Sequence, residues 1–110
     1  MWMGNALGVL KVFPSAVHEE VGHALYMAQR GEKNISAKPL KGVGPGVLET
    51  VSDHRGGTFR AVYTVRLGDR VYVLHALQRK SKRGIATPQA EVDVIRRRLK
   101  VAQAISEEQE

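Results

Sequence analysis

The chain has 110 residues, too few for two independent cores, and its 43% hydrophobic against 25% charged residues mark a folded globular domain, not a disordered one. A net charge of +6 and a pI near 10.0 favour an anionic partner, nucleic acid or an acidic protein, over a neutral metabolite. With no cysteine, disulfides, thiolate catalysis and cysteine-based zinc sites are excluded, and no apolar run approaches a membrane span.

Met1-Trp2-Met3-Gly4 lacks the basic end and apolar block of a secretory signal, so a cytoplasmic protein is expected. From Asn5 to Phe13, Leu7, Leu10 and Phe13 recur three apart, a short helical stripe with Asn5 as its cap. Pro14-Ser15 interrupts it. Ser15 then opens a firmer helix whose Val17, Val21, Ala24, Leu25 and Ala28 share one face, with Gly31 as its stop. The two helices read as a hairpin covering a sheet.

Residues 32–46 read as loop, and the glycines at 42, 44 and 46 lead into a strand at 47–51. Residues 53–57 read as a turn. A long strand follows at 58–67, with Phe59, Ala61, Tyr63, Val65 and Leu67 on one face and Arg60, Val62, Thr64 and Arg66 on the other. Gly68-Asp69 makes a tight hairpin connection to a strand at 70–78, apolar enough to be central. Thr87 as N-cap and Pro88 at the first helical position begin the last helix, which buries Val92, Ile95, Leu99 and Ala102. Residues 106–110 read as a frayed tail. The whole is one α+β domain, residues 1–110: two N-terminal helices packed on a small antiparallel-rich sheet, then a C-terminal helix.

Three familiar chemistries are excluded. His18 and His23 are five apart, which turns one from the other by roughly 140° on a helix, so they do not form a zinc-protease pair and no metal site is expected. Gly42-Val43-Gly44-Pro45-Gly46 leads into a strand and lacks the Lys-Ser/Thr of a phosphate-binding loop; turn chemistry accounts for it. No serine sits in a nucleophile elbow.

What remains is arginine and lysine at strand positions and strand ends. The apolar strand at 70–78 empties into Arg79, Lys80, Lys82 and Arg83 with the hydroxyl of Ser81, a concentration suited to a phosphate, though also to a solvated basic loop. Arg60 lies within a strand, where a charge is costly unless paired or facing a cleft. Two readings stand: Arg60 is solvated or paired with Glu49 of the neighbouring strand, or it converges with the 79–83 cluster on one phosphate, since adjacent strands lie about 4.8 Å apart.

RNA cleavage by its own 2′-hydroxyl suits that inventory, because cations stabilise the phosphorane and no metal or other cofactor is obligatory. Arg60, Arg79, Lys80 and Lys82 are the candidate catalytic cations, and Lys41, Arg55, Arg66 and Arg83 are further candidate nucleic-acid contacts. Glu49, His54, Tyr63 and His75, with Lys80, are the candidates for proton transfer. His75 reads better as a core-facing residue, because Val71, Val73 and Leu77 share its strand parity.

The segments 37–42, 46–49, 59–63 and 71–82, in this order and spacing, and Lys80-Ser81-Lys82-Arg83-Gly84-Ile85-Ala86-Thr87-Pro88 above all, resemble the RelE/ParE toxin superfamily. The resemblance is to its HigB-like, phage-derived branch and spans roughly Trp2 to Ala102. It implies a RelE-like fold and a toxin of a type II toxin–antitoxin module. The implied activity is that of an mRNA interferase, a ribosome-dependent endoribonuclease silenced by a cognate helix-turn-helix antitoxin. It also implies contacts from Arg60, Arg79, Lys80 and Lys82 to the scissile phosphate or ribosomal RNA. A DNA-gyrase inhibitor of the ParE type and an inactive RNA- or protein-binding remnant are the alternatives. Two departures stand out. Family members carry a strand ahead of the segment that starts here at Trp2, so two expectations stand: the start of this sequence is short, or the sheet lacks that strand and its edge is open. The lysines of the best-studied branch are replaced by Glu49, Asp53, His54 and Arg55, which leaves the general base open.

Overall fold

A computed structural model of the protein describes residues 1–79 and 87–108. Helix α1 spans Ala6–Lys11 and α2 spans Ser15–Gln29. Four strands follow, β1 Lys38–Pro39, β2 Val47–His54, β3 Gly57–Thr64 and β4 Val73–Arg79, and then α3, Gln89–Glu108. The sheet order is β1-β2-β3-β4 and every strand pairing is antiparallel. Among the described residues no helix is long and apolar enough to cross a membrane.

The α2 and α3 stripes behave as their periodicity predicts, whereas α1 is shorter than expected, buries Ala6 and ends before Phe13. Val17, Val21, Ala24 and Ala28 of α2 are buried and Leu25 is half-buried, which sets the helix against β2 and β3. Phe13 stacks edge-on against Phe59 of β3 with ring centroids 5.0 Å apart. The imidazole of His18 donates from Nε2 to the Leu10 carbonyl at 2.6 Å, closing the end of α1. On the other face of the sheet, Ile95 and Ala102 of α3 are fully buried against Leu40, Val47, Val62, Tyr72 and Leu74.

Capping departs from expectation twice. Asn5 occupies the N-cap of α1 without a side-chain cap bond; its Oδ1 accepts from Arg98 of α3 at 3.1 Å instead. Thr87 sits ahead of α3, but its hydroxyl faces Glu49 at 3.5 Å, and the first helical bond is closed by the Pro88 carbonyl. The helix itself runs on to Glu108, through residues expected to fray.

Strand boundaries differ for local reasons. Residues 38–39, expected in a loop, pair with Glu49 and Leu48 of β2. Strand β2 continues to His54 because Arg55 (φ 49°) and Gly56 (φ 81°) form a two-residue turn with both residues left-handed, which preserves the ladder into Gly57. Gly68-Asp69 does make the expected tight turn, with Leu67 and Arg70 exchanging both backbone hydrogen bonds.

Strand β4 lies at the end of the four-strand order, not at its centre. Its apolar run reflects helices on both faces of the sheet, α1 and α2 on one and α3 on the other. Part of its outer edge is met by the N-terminal residues: Trp2 bridges Val73 in parallel, and Met3 N donates to the Val73 carbonyl at 2.9 Å. A bulge in β4 then reverses the parity read from sequence. Val62 pairs with His75 but Tyr63 pairs with Val73, leaving Leu74 as the extra residue. Val71 and Val73 therefore face α2, while Leu74, His75 and Leu77 face α3.

Candidate functional site: an arginine–carboxylate cleft

Register places Glu49 and Val51 of β2 and Arg60 and Val62 of β3 on the face that α3 covers. Glu49 and Arg60 meet diagonally across the two strands, Nη1 donating to Oε2 at 3.2 Å, and both side chains are less than a tenth exposed. They form the floor of a cleft of about 430 Å³. One wall is the β1 segment with Lys38 and Lys41; the other is the start of α3 with Thr87, Gln89, Val92 and Arg96. Arg96 fixes the width by donating from Nε to the Gly42 carbonyl at 2.8 Å. Among the described residues, four cations thus line a cleft whose one carboxylate, Glu49, is already engaged with Arg60.

The pairing with Glu49 is the one anticipated as an alternative to a free, phosphate-facing Arg60. The pair nevertheless lines a cleft and is not sealed from it. Arg79 belongs to the same face: Arg60 pairs with Leu77 and Thr58 with Arg79, so Arg60 and Arg79 are diagonal neighbours, roughly 7–8 Å apart at such positions. Lys41 is on the cleft wall. Lys80, Lys82 and Arg83 lie outside the described residues.

The other candidates are dispersed. His54 and Arg55 line a separate depression with Pro14, Phe59 and Gln78, on the α1–α2 side of the sheet. Arg66 lies beyond the far end of β3 and donates to the Gln29 carbonyl at 3.3 Å. Tyr63 is fully buried among Ala24, Ala28, Leu48 and Val73 on the face opposite Arg60. Burial pushes its phenol above the usual range, so it remains protonated at neutral pH and cannot act as a phenolate base.

His75 shares the Arg60 face through the β4 bulge, but both its nitrogens are occupied. Nε2 is 2.7 Å from Glu91 Oε2, and Arg98 Nη1 donates to Nδ1 at 2.9 Å. A guanidinium only donates, so Nδ1 is the acceptor and the ring proton sits on Nε2, shared with Glu91. Arg98 also donates to the Leu74 carbonyl and to Asn5 Oδ1. This cluster fastens α3 to β4 and to the residues before α1. Of the four proton-transfer candidates among the described residues, Glu49 is the one that pairs with Arg60.

Sequence reasoning missed Lys38 and Arg96 as site residues. The two-residue strand that carries Lys38 has no periodicity to detect. Arg96 is one of three consecutive arginines, and only helix rotation distinguishes it from Arg97 and Arg98.

The architecture and the cleft define a small α+β protein with a cationic cleft floored by a buried carboxylate–guanidinium pair. The family model described as Phage derived protein Gp49-like (DUF891) matches residues 9–100, and the chain belongs to that family, a RelE-like toxin-type family. Neither a curated protein nor a solved structure matches the chain.

Proposed function

We propose that the protein is the toxin of a toxin–antitoxin module, an endoribonuclease that cuts mRNA on the ribosome and is held inactive by a cognate antitoxin. The observation that carries this reading is the Glu49–Arg60 pair, 3.2 Å apart on the floor of a cationic cleft, in a chain of a RelE-like toxin-type family. A carboxylate beside a guanidinium supplies a proton acceptor and an anion stabiliser within the span of one phosphodiester.

In this mechanism Glu49 accepts the 2′-hydroxyl proton, and the 2′-oxygen attacks phosphorus. Arg60 and Arg79 hold the charge of the phosphorane, and the P–O5′ bond breaks. The products are a 2′,3′-cyclic phosphate and a 5′-hydroxyl, whose oxygen takes up one proton. Lys80 and Lys82 are the donors that the sequence offers for that step. The antitoxin is expected to lay an acidic or apolar segment over the cleft.

The test is mRNA 5′-end mapping in a purified translation system, comparing wild type with Glu49→Gln, which keeps the shape and a hydrogen bond to Arg60. Cuts that require ribosomes and fall at least 100-fold in the variant support the assignment, as loss of a general base predicts. Undiminished cutting by Glu49→Gln removes Glu49 from the mechanism. If wild type makes no cuts but inhibits gyrase supercoiling, the ParE-type reading replaces this one.

A further inference from the structure

The cleft above Glu49 and Arg60 continues past Arg96. A second depression of about 360 Å³ adjoins it, lined by Gly42, Val43, Arg96, Arg97, Leu99 and Lys100 on the outer side of α3. The two share Gly42 and Arg96, and the Arg96–Gly42 hydrogen bond forms the saddle between them. Arg96, Arg97 and Lys100 are all exposed, as are Lys38 and Lys41 on the facing wall. Arg96 and Lys100 stand about one helical turn, ~6 Å, apart along α3.

The carboxylates nearby are already engaged, Asp93 with Arg96 itself. Asp93 accepts from Gln89 at 3.0 Å and lies 3.7 Å from Arg96 Nη1, Glu91 serves His75, and Glu49 serves Arg60. Among the described residues no carboxylate pairs with Arg97 or Lys100. The result is a cationic path that leads from the cleft floor, over the saddle and along α3.

We infer that this face of α3, centred on Arg97 and Lys100, is a docking track for the sugar–phosphate backbone of single-stranded RNA leaving the cleft. The inference rests on the cleavage reading for what enters the cleft. The surface itself favours RNA over an acidic protein. A stable protein partner needs a desolvated apolar centre, and here only the half-buried Val43 and Leu99 are apolar. A nucleic-acid backbone needs spaced cations along a shallow groove.

The test measures binding of an unstructured oligoribonucleotide by fluorescence anisotropy across salt concentrations, without ribosomes. Arg97→Gln/Lys100→Gln is compared with Lys11→Gln/Lys33→Gln, which removes the same charge from exposed positions elsewhere on the surface. The α3 variant should lower affinity about tenfold, and should flatten the slope of log K against log salt by about 1.4, roughly 0.7 for each phosphate no longer neutralised. The control variant should change neither by more than its small long-range effect. Equal losses in both variants, or none in either, overturn the track. So does tight capture of a polyglutamate peptide with no RNA binding. If RNA binding fails in the α3 variant while wild type never cuts on ribosomes, the track stands and the cleavage reading falls.

Discussion

Arg60 carries the sharpest consequence at the scale of single residues. Its guanidinium and the Glu49 carboxylate share a site where each is less than a tenth exposed. Removing one partner leaves the other charge buried and uncompensated, a cost of about 3–5 kcal/mol. Arg60→Ala should therefore lose activity and also unfold at markedly lower urea. Glu49→Leu/Arg60→Met, which removes both charges, should be as stable as wild type yet inactive. Urea titrations of the three proteins decide this; an Arg60→Ala protein within about 1 kcal/mol of wild type, on that same scale, would show the pair to be uncoupled. The identity of Glu49 as the carboxylate beside Arg60 was partly legible, because register between neighbouring strands makes them diagonal. That His54 and Tyr63 fall away from Arg60 was legible too, from strand parity alone, once β2 is allowed to run to His54.

Among the elements, α3 is held by a polar latch as well as by its apolar stripe. Arg98 donates to His75, to the Leu74 carbonyl and to Asn5, with its guanidinium packed over Gly4. Gly4 has φ +53°, and a Cβ there would come within 2.5 Å of the Arg98 guanidinium. Arg98 can move aside only by giving up those hydrogen bonds. Gly4→Ala is expected to destabilise by about 1–3 kcal/mol, a left-handed non-glycine residue added to the broken latch. In an Arg98→Ala background the same change should cost less, because the clash is gone; thermal melts of the four-protein cycle measure the difference. Strictly additive losses would mean that Gly4 and Arg98 do not interact. None of this latch is readable from sequence, since its parts lie at residues 4–5, 74–75, 91 and 98 and meet through the β4 bulge.

For the whole molecule, helices on both faces of one sheet make stability and site geometry interdependent. Ile95 is fully buried at the centre of the α3-side core, while Gln89, Val92 and Arg96 of the same helix line the cleft. Ile95→Ala should cost about 2–5 kcal/mol through transfer and cavity terms. That corresponds to a fall of about 10 °C or more in melting temperature for a domain of this size. Activity should decline below that midpoint as α3 loosens and the cleft wall moves; calorimetry alongside the cutting assay checks both. A wild-type melting temperature in Ile95→Ala would place the core elsewhere.

Composition and periodicity alone determined an α+β chain with two N-terminal helices, an antiparallel sheet and a C-terminal helix, carrying a net charge of +6. Those properties are local or additive: charge sums over residues, and a helix stripe repeats every 3.6 positions whatever surrounds it. Only the tertiary structure decided which cations share a cleft, that β4 ends the strand order, and that His75 faces α3 instead of sharing a face with Val71 and Val73. A single extra residue in one strand inverts every side chain beyond it, and a two-residue strand is visible only through its partner. The site is made of pairings between distant segments, and pairings are what a linear pattern does not contain.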